Sequence, residues 1–191
     1  MQQQSAFEGG FANPSYDAAH AFRAAMRVMA RPGTVEQIEG GSAPQPVSLA
    51  AASLMLTLCD PDTGVHLTGA YDTEDVREWV TFHTAAALVS AEQADFAIGT
   101  WDALQPVSRF KIGTSEYPDR AATLVVDVPE LSQSGARLTG PGIKDSAFLN
   151  LPELAAFQAN QKLFPLGFDC FFCAGGQIAA LPRSTIVSEA G

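Results

Sequence analysis

Two arginines stand where a chain could hold an anion. Arg137 lies two positions before Thr139, and Arg183 is followed directly by Ser184 and Thr185. A guanidinium beside a hydroxyl is a usual grip on phosphate or carboxylate, because the planar fork donates in parallel and the hydroxyl adds a further donor. Gly140-Pro141-Gly142 follows the first pair. It contains a G-x-G, but the third glycine of a dinucleotide fingerprint is missing and Pro141 removes one amide, so a tight turn is the plainer reading. Arg137, Thr139, Gly140, Gly142, Arg183, Ser184 and Thr185 form the candidate anion-binding or interface set. Ion pairs from these arginines to Asp or Glu at an interface are the competing reading, and the preferred one.

Other chemistry finds less support. His20, His66 and His83 are the three histidines, and no two of them share metal-ligand spacing. His83 falls on the apolar face of its segment and reads as a core or interface residue. Cys170 and Cys173 form a C-x-x-C. Neither a helix N-terminus nor a second ligand pair accompanies it, so redox and zinc readings lack their usual setting. In a strand the two cysteines point to opposite faces and serve as buried filling. No G-x-S-x-G elbow and no G-x-x-x-x-G-K-[ST] loop occurs. Lys111, Lys144 and Lys162 are the three lysines, none in an obviously apolar pocket for a Schiff base. We assign no catalytic residue, no metal and no cofactor from the sequence.

The elements that must position these residues follow from periodicity and punctuation. Residues 1–12 read as a flexible N-terminal arm, and residues 13–191 as a single α/β domain. Asn13-Pro14 looks like an N-cap with Pro at the first helical position. Ala19, Phe22, Met26 and Met29 then form one apolar stripe, with His20, Arg23 and Arg27 off it, and Pro32-Gly33 stops the helix. A short strand is expected over 34–38. Ser48 caps a buried helix through Leu58. Residues 65–67 read as a strand, and Asp72 with Asp75 as a capping pair for a helix with Val76, Trp79, Val80 and His83 on one face. Strands follow over 95–98, 123–128 and 136–139, with a short helix opening at Trp101 and a loop over 113–120. Asn150 reads as the cap of a helix that runs to about Lys162. Residues 164–185 read as a turn, a strand, a Gly175-Gly176 hairpin turn, a second strand and a Pro182-Arg183 exit. Asp169 is the one charge in the apolar run 168–173 and calls for a buried arginine as partner. Mixed helices and strands place the fold in the α/β class with a mixed sheet.

A chain of 191 residues suits one domain with a sizeable core. It is 47% hydrophobic and 17% charged, apolar enough to suggest subunit contacts. The net charge is −10, from 21 acidic and 11 basic residues. Such a surface disfavours nucleic acid and anionic membranes. There is no run long enough to span a bilayer and no signal-peptide pattern at the start, and the odd number of cysteines fits a reducing compartment. A cytoplasmic location is therefore expected.

Taken in order, the segments resemble the H subunits of the carbon–phosphorus lyase system, the PhnH family. The resemblance rests on Gly10-Phe11 through Gly33-Thr34, with Ala21-Phe22-Arg23 and Arg31-Pro32-Gly33. It continues in Ser53-Leu54-Met55-Leu56-Thr57-Leu58-Cys59-Asp60, Phe82-His83-Thr84 and Ala94-Asp95-Phe96-Ala97. It closes with Arg137-Leu138-Thr139-Gly140-Pro141-Gly142-Ile143, Phe164-Pro165-Leu166-Gly167 and Leu181-Pro182-Arg183-Ser184-Thr185. The resemblance implies a three-layer-like domain similar to the large domain of PLP-dependent transferases, without PLP or its lysine. It implies a homodimer in isolation and assembly with G, I and J subunits. With the L subunit, that assembly supports formation of ribose-1-phosphonate 5-triphosphate from ATP and a phosphonate, displacing adenine. The J subunit then breaks the C–P bond. The alternative is a stand-alone transferase-like enzyme that binds a phosphonate or nucleotide at the arginine/hydroxyl set.

Overall fold

In the computed structural model, which describes residues 7–190, the branched run at 123–127 becomes the central strand of a seven-stranded sheet. The elements in chain order are α1 (Pro14–Ala30), β1 (Glu36–Gln37), α2 (Leu49–Leu58), β2 (Gly64–Leu67) and α3 (Glu74–Thr84). Then come β3 (Ala87–Leu88), β4 (Phe96–Thr100), α4 (Trp101–Leu104), β5 (Thr123–Asp127), β6 (Ala136–Thr139) and β7 (Ala147–Leu149). Last are α5 (Leu154–Gln161), β8 (Asp169–Ala174), β9 (Gln177–Leu181) and β10 (Ile186–Ser188). The large sheet has the order β1-β9-β8-β5-β4-β2-β3, and β6, flanked by β10 and β7, makes a separate three-stranded sheet. Strands β8, β5, β4, β2 and β3 run parallel, and β9 is antiparallel to both β8 and β1. The fold is thus mixed α/β with a mixed sheet. Its two outermost strands, β1 and β3, have two residues each.

Both faces of the large sheet are covered, and this explains the apolar run in β8. One core cluster joins α1, α2 and α3 to the sheet and includes Val125, Phe171 and Cys173. The other lies on the opposite face and joins Leu124, Val126, Cys170 and Phe172 to Trp101, Phe157, Leu138, Leu149 and Val187. Cys170 and Cys173 fall in different clusters, as strand alternation requires.

Helix α2 is apolar all round and is accordingly buried, with Ala50, Ala51, Ala52, Leu54 and Met55 at 1% exposure or less. Ser48 caps it by accepting from the Ala51 amide at 3.1 Å. Helix α1 departs from expectation. The stripe that periodicity marks is turned outward, with Phe22 at 49% and Met26 at 54% exposure. The buried face is Ala21, Ala24, Ala25 and Val28. Small side chains let α1 lie close against α2 and β9, where the longer Phe22 and Met26 would hold it away.

Three local caps also differ. The Asn13 side chain makes no capping bond; its amide donates to Asp17 Oδ2 at 2.8 Å. Thr73, not Asp72, caps α3, and Asp72 instead accepts a two-pronged bond from Arg77 at 2.5 and 2.8 Å. Asn150 does not start a helix. It ties Glu130 O and the Ser132 amide, and α5 begins four residues later. Of the arm expected over residues 1–12, residues 1–6 lie outside the described residues. Gly10 exchanges hydrogen bonds with Ser42 at 2.8 and 3.2 Å, and Phe7 packs edge-on against Phe82. Among the described residues, no helix is long and apolar enough to cross a membrane.

Candidate functional site

Parallel α/β sheets expose ligand-competent groups at the carboxyl ends of their strands. Here that edge holds a carboxylate at its centre. Asp127 is the last residue of β5, and residue types alone did not single it out. Its Oδ1 accepts from Ser48 Oγ at 2.5 Å, and its Oδ2 accepts from Tyr71 Oη at 2.9 Å and from the Ser48 amide at 3.2 Å. Ser48 sits at the N-terminus of α2, and Tyr71 closes the 3-10 turn Gly69–Tyr71 that follows β2. Ser48 Oγ therefore donates to Asp127 and accepts from Ala51, which couples the cap of α2 to the middle of the sheet.

The electrostatics of this cluster are a contest between burial and hydrogen bonding. Burial pushes the Asp127 carboxyl up, bonds from Ser48 and Tyr71 hold it down, and burial wins. The Tyr71 phenol is pushed up first by burial and then by the neighbouring Asp127 charge. Three donors, two from Ser48 and one from Tyr71, hold the carboxylate in place. It acts as a tether between three elements.

The arginine set divides. Arg183 is held by Asp169, with Nε at 3.1 Å from Oδ1 and Nη2 at 2.5 Å from Oδ2, while the Arg183 amide also donates to Oδ1 at 2.8 Å. Nη1 donates to Pro118 O. The side chains are 14% and 20% exposed, so this is a largely buried, fully engaged pair. Asp169 thus finds the arginine its apolar strand called for. Arg137 is exposed on β6, opposite Phe148 of β7 and Ser188 of β10, with no ion pair among the described residues. Thr139 pairs with Ile186, and Gly140 lies against Ser184 and Thr185, so these members do come together. Thr185 Oγ1 is buried with no hydrogen-bond partner among the described residues. Gly142 is elsewhere, with positive φ, tucked under the Ala30 carbonyl at the end of α1. The structure therefore brings together Thr139, Gly140, Ser184 and Thr185, and turns Arg183 away into an ion pair.

The remaining candidates are placed by packing. His83 stacks near Trp79 and Phe82, and its ring lies against Gly10. His66 Nδ1 donates to Val89 O at 2.9 Å, which fixes the tautomer with Nε2 unprotonated when the ring is neutral. His20 stacks on Tyr16. Lys111 is paired with Asp95 Oδ1 at 2.5 Å near the amino end of β4. Among the described residues no group of three or more His, Cys, Asp or Glu could hold a metal ion.

Asp127 escaped the sequence reading because its partners lie 79 and 56 positions away. The available signal was a charged residue closing an otherwise branched, apolar strand.

The family model described as "Bacterial phosphonate metabolism protein (PhnH)" matches residues 9–188. The chain is 37% identical to the "Alpha-D-ribose 1-methylphosphonate 5-triphosphate synthase subunit PhnH" of Rhizobium meliloti (strain 1021), with 96% of each chain covered. It is 28% identical to the "Putative C-P lyase subunit protein HtxG" of Stutzerimonas stutzeri, over 90% of this chain and 86% of that one. The match runs from the Gly10–Ser42 contact through β10 and so takes in both sheets and both faces of the core. By that coverage and that identity, the chain belongs to the PhnH family of bacterial phosphonate metabolism proteins.

Proposed function

We propose that this chain is a subunit of the carbon–phosphorus lyase assembly and supports formation of ribose-1-phosphonate 5-triphosphate from ATP and a phosphonate. The observation that carries the reading is the near-complete match to a relative named as a synthase subunit. The site geometry supports a contact role. Asp127 is held by Ser48 and Tyr71, and Arg183 by Asp169 and Pro118. Both groups hold the fold together. The partners are the G, I and J subunits, with the L subunit acting alongside them in adenine displacement. The isolated chain is a homodimer, and its place is the cytoplasm.

The fold is read as that of the large domain of PLP-dependent transferases without the cofactor. A seven-stranded sheet with β9 alone antiparallel, covered on both faces, supports this reading. Lys111, held by Asp95 at the amino end of the sheet, is remote from the carboxyl ends where ligands of such sheets bind. The stand-alone enzyme alternative loses its main cation, since Arg183 is committed to Asp169.

The test is reconstitution. Purified G, I, J and L subunits are supplied with ATP and methylphosphonate, with and without this chain, and the ribose phosphonate triphosphate is followed by phosphorus NMR. The expected result is loss of product without the chain. Full-rate product in its absence overturns the reading.

A further inference from the structure

Residues 7–10 cross α3 as a narrow strap. Phe7 lies edge-on against Phe82 of α3, with ring centroids 5.0 Å apart, and both residues are more than half exposed. Gly10 donates to Ser42 O at 2.8 Å and accepts from the Ser42 amide at 3.2 Å. Phe11, the next residue, packs against the core cluster of α1, α2 and α3, and so marks where the strap is rooted. Gly9 and Gly10 both have positive φ, at 93° and 81°. A backbone of this shape, without Cβ atoms, passes close over its neighbours. A Cβ on Gly9 would lie 2.5 Å from Ser42 O and 3.3 Å from Trp79 Nε1, and one on Gly10 would lie 2.8 Å from His83 Nδ1.

What the strap covers opposes its closure. Trp79 is fully buried, and its Nε1 has no hydrogen-bond partner among the described residues. His83 Nε2 is also buried without one. The two side chains stand at i and i+4 on α3, with ring centroids 5.3 Å apart. A buried donor or acceptor left unmet loses the whole of its hydration, whereas a backbone hydrogen bond formed in exchange for water returns only a small net gain. The two bonds between Gly10 and Ser42 are therefore set against two unmet atoms. Ordering Gly9 and Gly10 opposes closure further, since glycine loses more backbone freedom than any other residue. Lifting the strap exposes little apolar surface, because Phe7, Glu8 and Gly9 are already exposed. Closure is thus nearly balanced, while the core beneath it is not.

We propose that residues 7–10 open and close as a unit while the rest of the domain stays folded, and that opening presents the Trp79 indole N–H and the His83 ring beside Phe82 on α3. The closed strap is a cover over a helix face with unmet hydrogen-bonding groups. The open strap brings those groups to water and to any ligand that can meet them. Nothing in this inference depends on the subunit reading above.

The experiment is hydrogen exchange of the full chain followed by NMR, with rates corrected for their intrinsic values. The reporters are the Gly10 and Ser42 amides and the Trp79 indole N–H, with the Val125 amide in the central strand as reference. The expected result is one shared protection for the three reporters, at least about 100-fold lower than that of Val125. Gly10→Ala, which sets a Cβ against His83, should lower the shared protection by about tenfold or more and leave Val125 unchanged. Phe7→Ser should lower it by about threefold. Its exposed position keeps the test available should the glycine variant not fold. Reporters as protected as Val125 overturn the proposal, since the strap then opens only when the whole chain unfolds. An indole that stays protected while the Gly10 amide exchanges also overturns it, as does a Phe7→Ser chain with wild-type rates. Exchange that slows as chain concentration rises overturns it in favour of a strap traded between two copies.

Discussion

Asp127 shows how one side chain can bind distant segments together. It accepts from the cap of α2 and from the turn after β2 while ending the central strand. Asp127→Ala leaves three donors without their acceptor, and we expect a loss of about 2–4 kcal/mol in urea unfolding. Asp127→Asn separates charge from shape. Burial raises the Asp127 pKa in the folded chain, so the folded state favours the acid form. The stability linked to that form is fully present below the unfolded carboxyl value of about 3.9 and is lost as pH rises through the folded value. Unfolding measured from about pH 3 to pH 7 should show this falling component in wild type and not in Asp127→Asn. Arg183→Ala strands the Asp169 carboxylate in a largely buried site, and we expect a cost of about 3 kcal/mol or more. Arg183→Lys should recover only part of it, because a single ammonium cannot match the two-pronged contact. The need for that pair was legible in the sequence, as a lone charge in an apolar strand. Its partner was legible too, had the hairpin register been followed. A two-residue turn at Gly175-Gly176 sets Cys170 opposite Leu181 and so brings residue 183 beside residue 169. The thiols also yield a test. Burial pushes Cys59 up to about 12 and Cys170 and Cys173 well above their usual range. Ellman's reagent should react with none of the three thiols in the native chain and with all three in guanidinium.

Elements follow the sequence where one face clearly dominates and depart from it where two faces compete. Helix α2 and strands β5 and β8 were legible because apolar residues there have only one place to go. Helix α1 has both a large apolar stripe and a small one, and periodicity favours the large one. Close helix–sheet approach selects the small one. It follows that Phe22→Ser with Met26→Ser should leave the unfolding free energy of the isolated chain within about 0.5 kcal/mol of wild type, as for surface positions. The same substitutions at true core positions would cost several times more. Strands β3, β7 and β10 escaped notice because two or three residues carry too little alternation to see. Gly142 shows an element boundary fixed by space. A Cβ there would lie 1.9 Å from Ala30 O, and its φ is positive. Gly142→Ala should therefore destabilise by about 2 kcal/mol or more, measured by thermal or urea unfolding. Its role is to let the chain pass beneath the end of α1, which explains why a glycine picked out for ligand approach sits apart from Ser184 and Thr185.

At the scale of the molecule, composition bounded the answer well. A largely apolar, weakly charged chain became a sheet with an apolar cluster on each face. Composition could not locate the surplus apolar surface, which depends on the rotation of α1. One feature of the large sheet bears on how such a chain survives between synthesis and assembly. Its outermost strands, β1 and β3, are two residues long. Each end of the sheet therefore offers very few unpaired amides, too few to template another strand. The route by which exposed strand edges nucleate fibrils is thereby narrowed at β1 and β3. Growth by pairing at β1 or β3 is thus limited by strand length rather than by charge, which lowers the chance that a subunit awaiting its partners seeds an aggregate while Phe22 and Met26 stay uncovered.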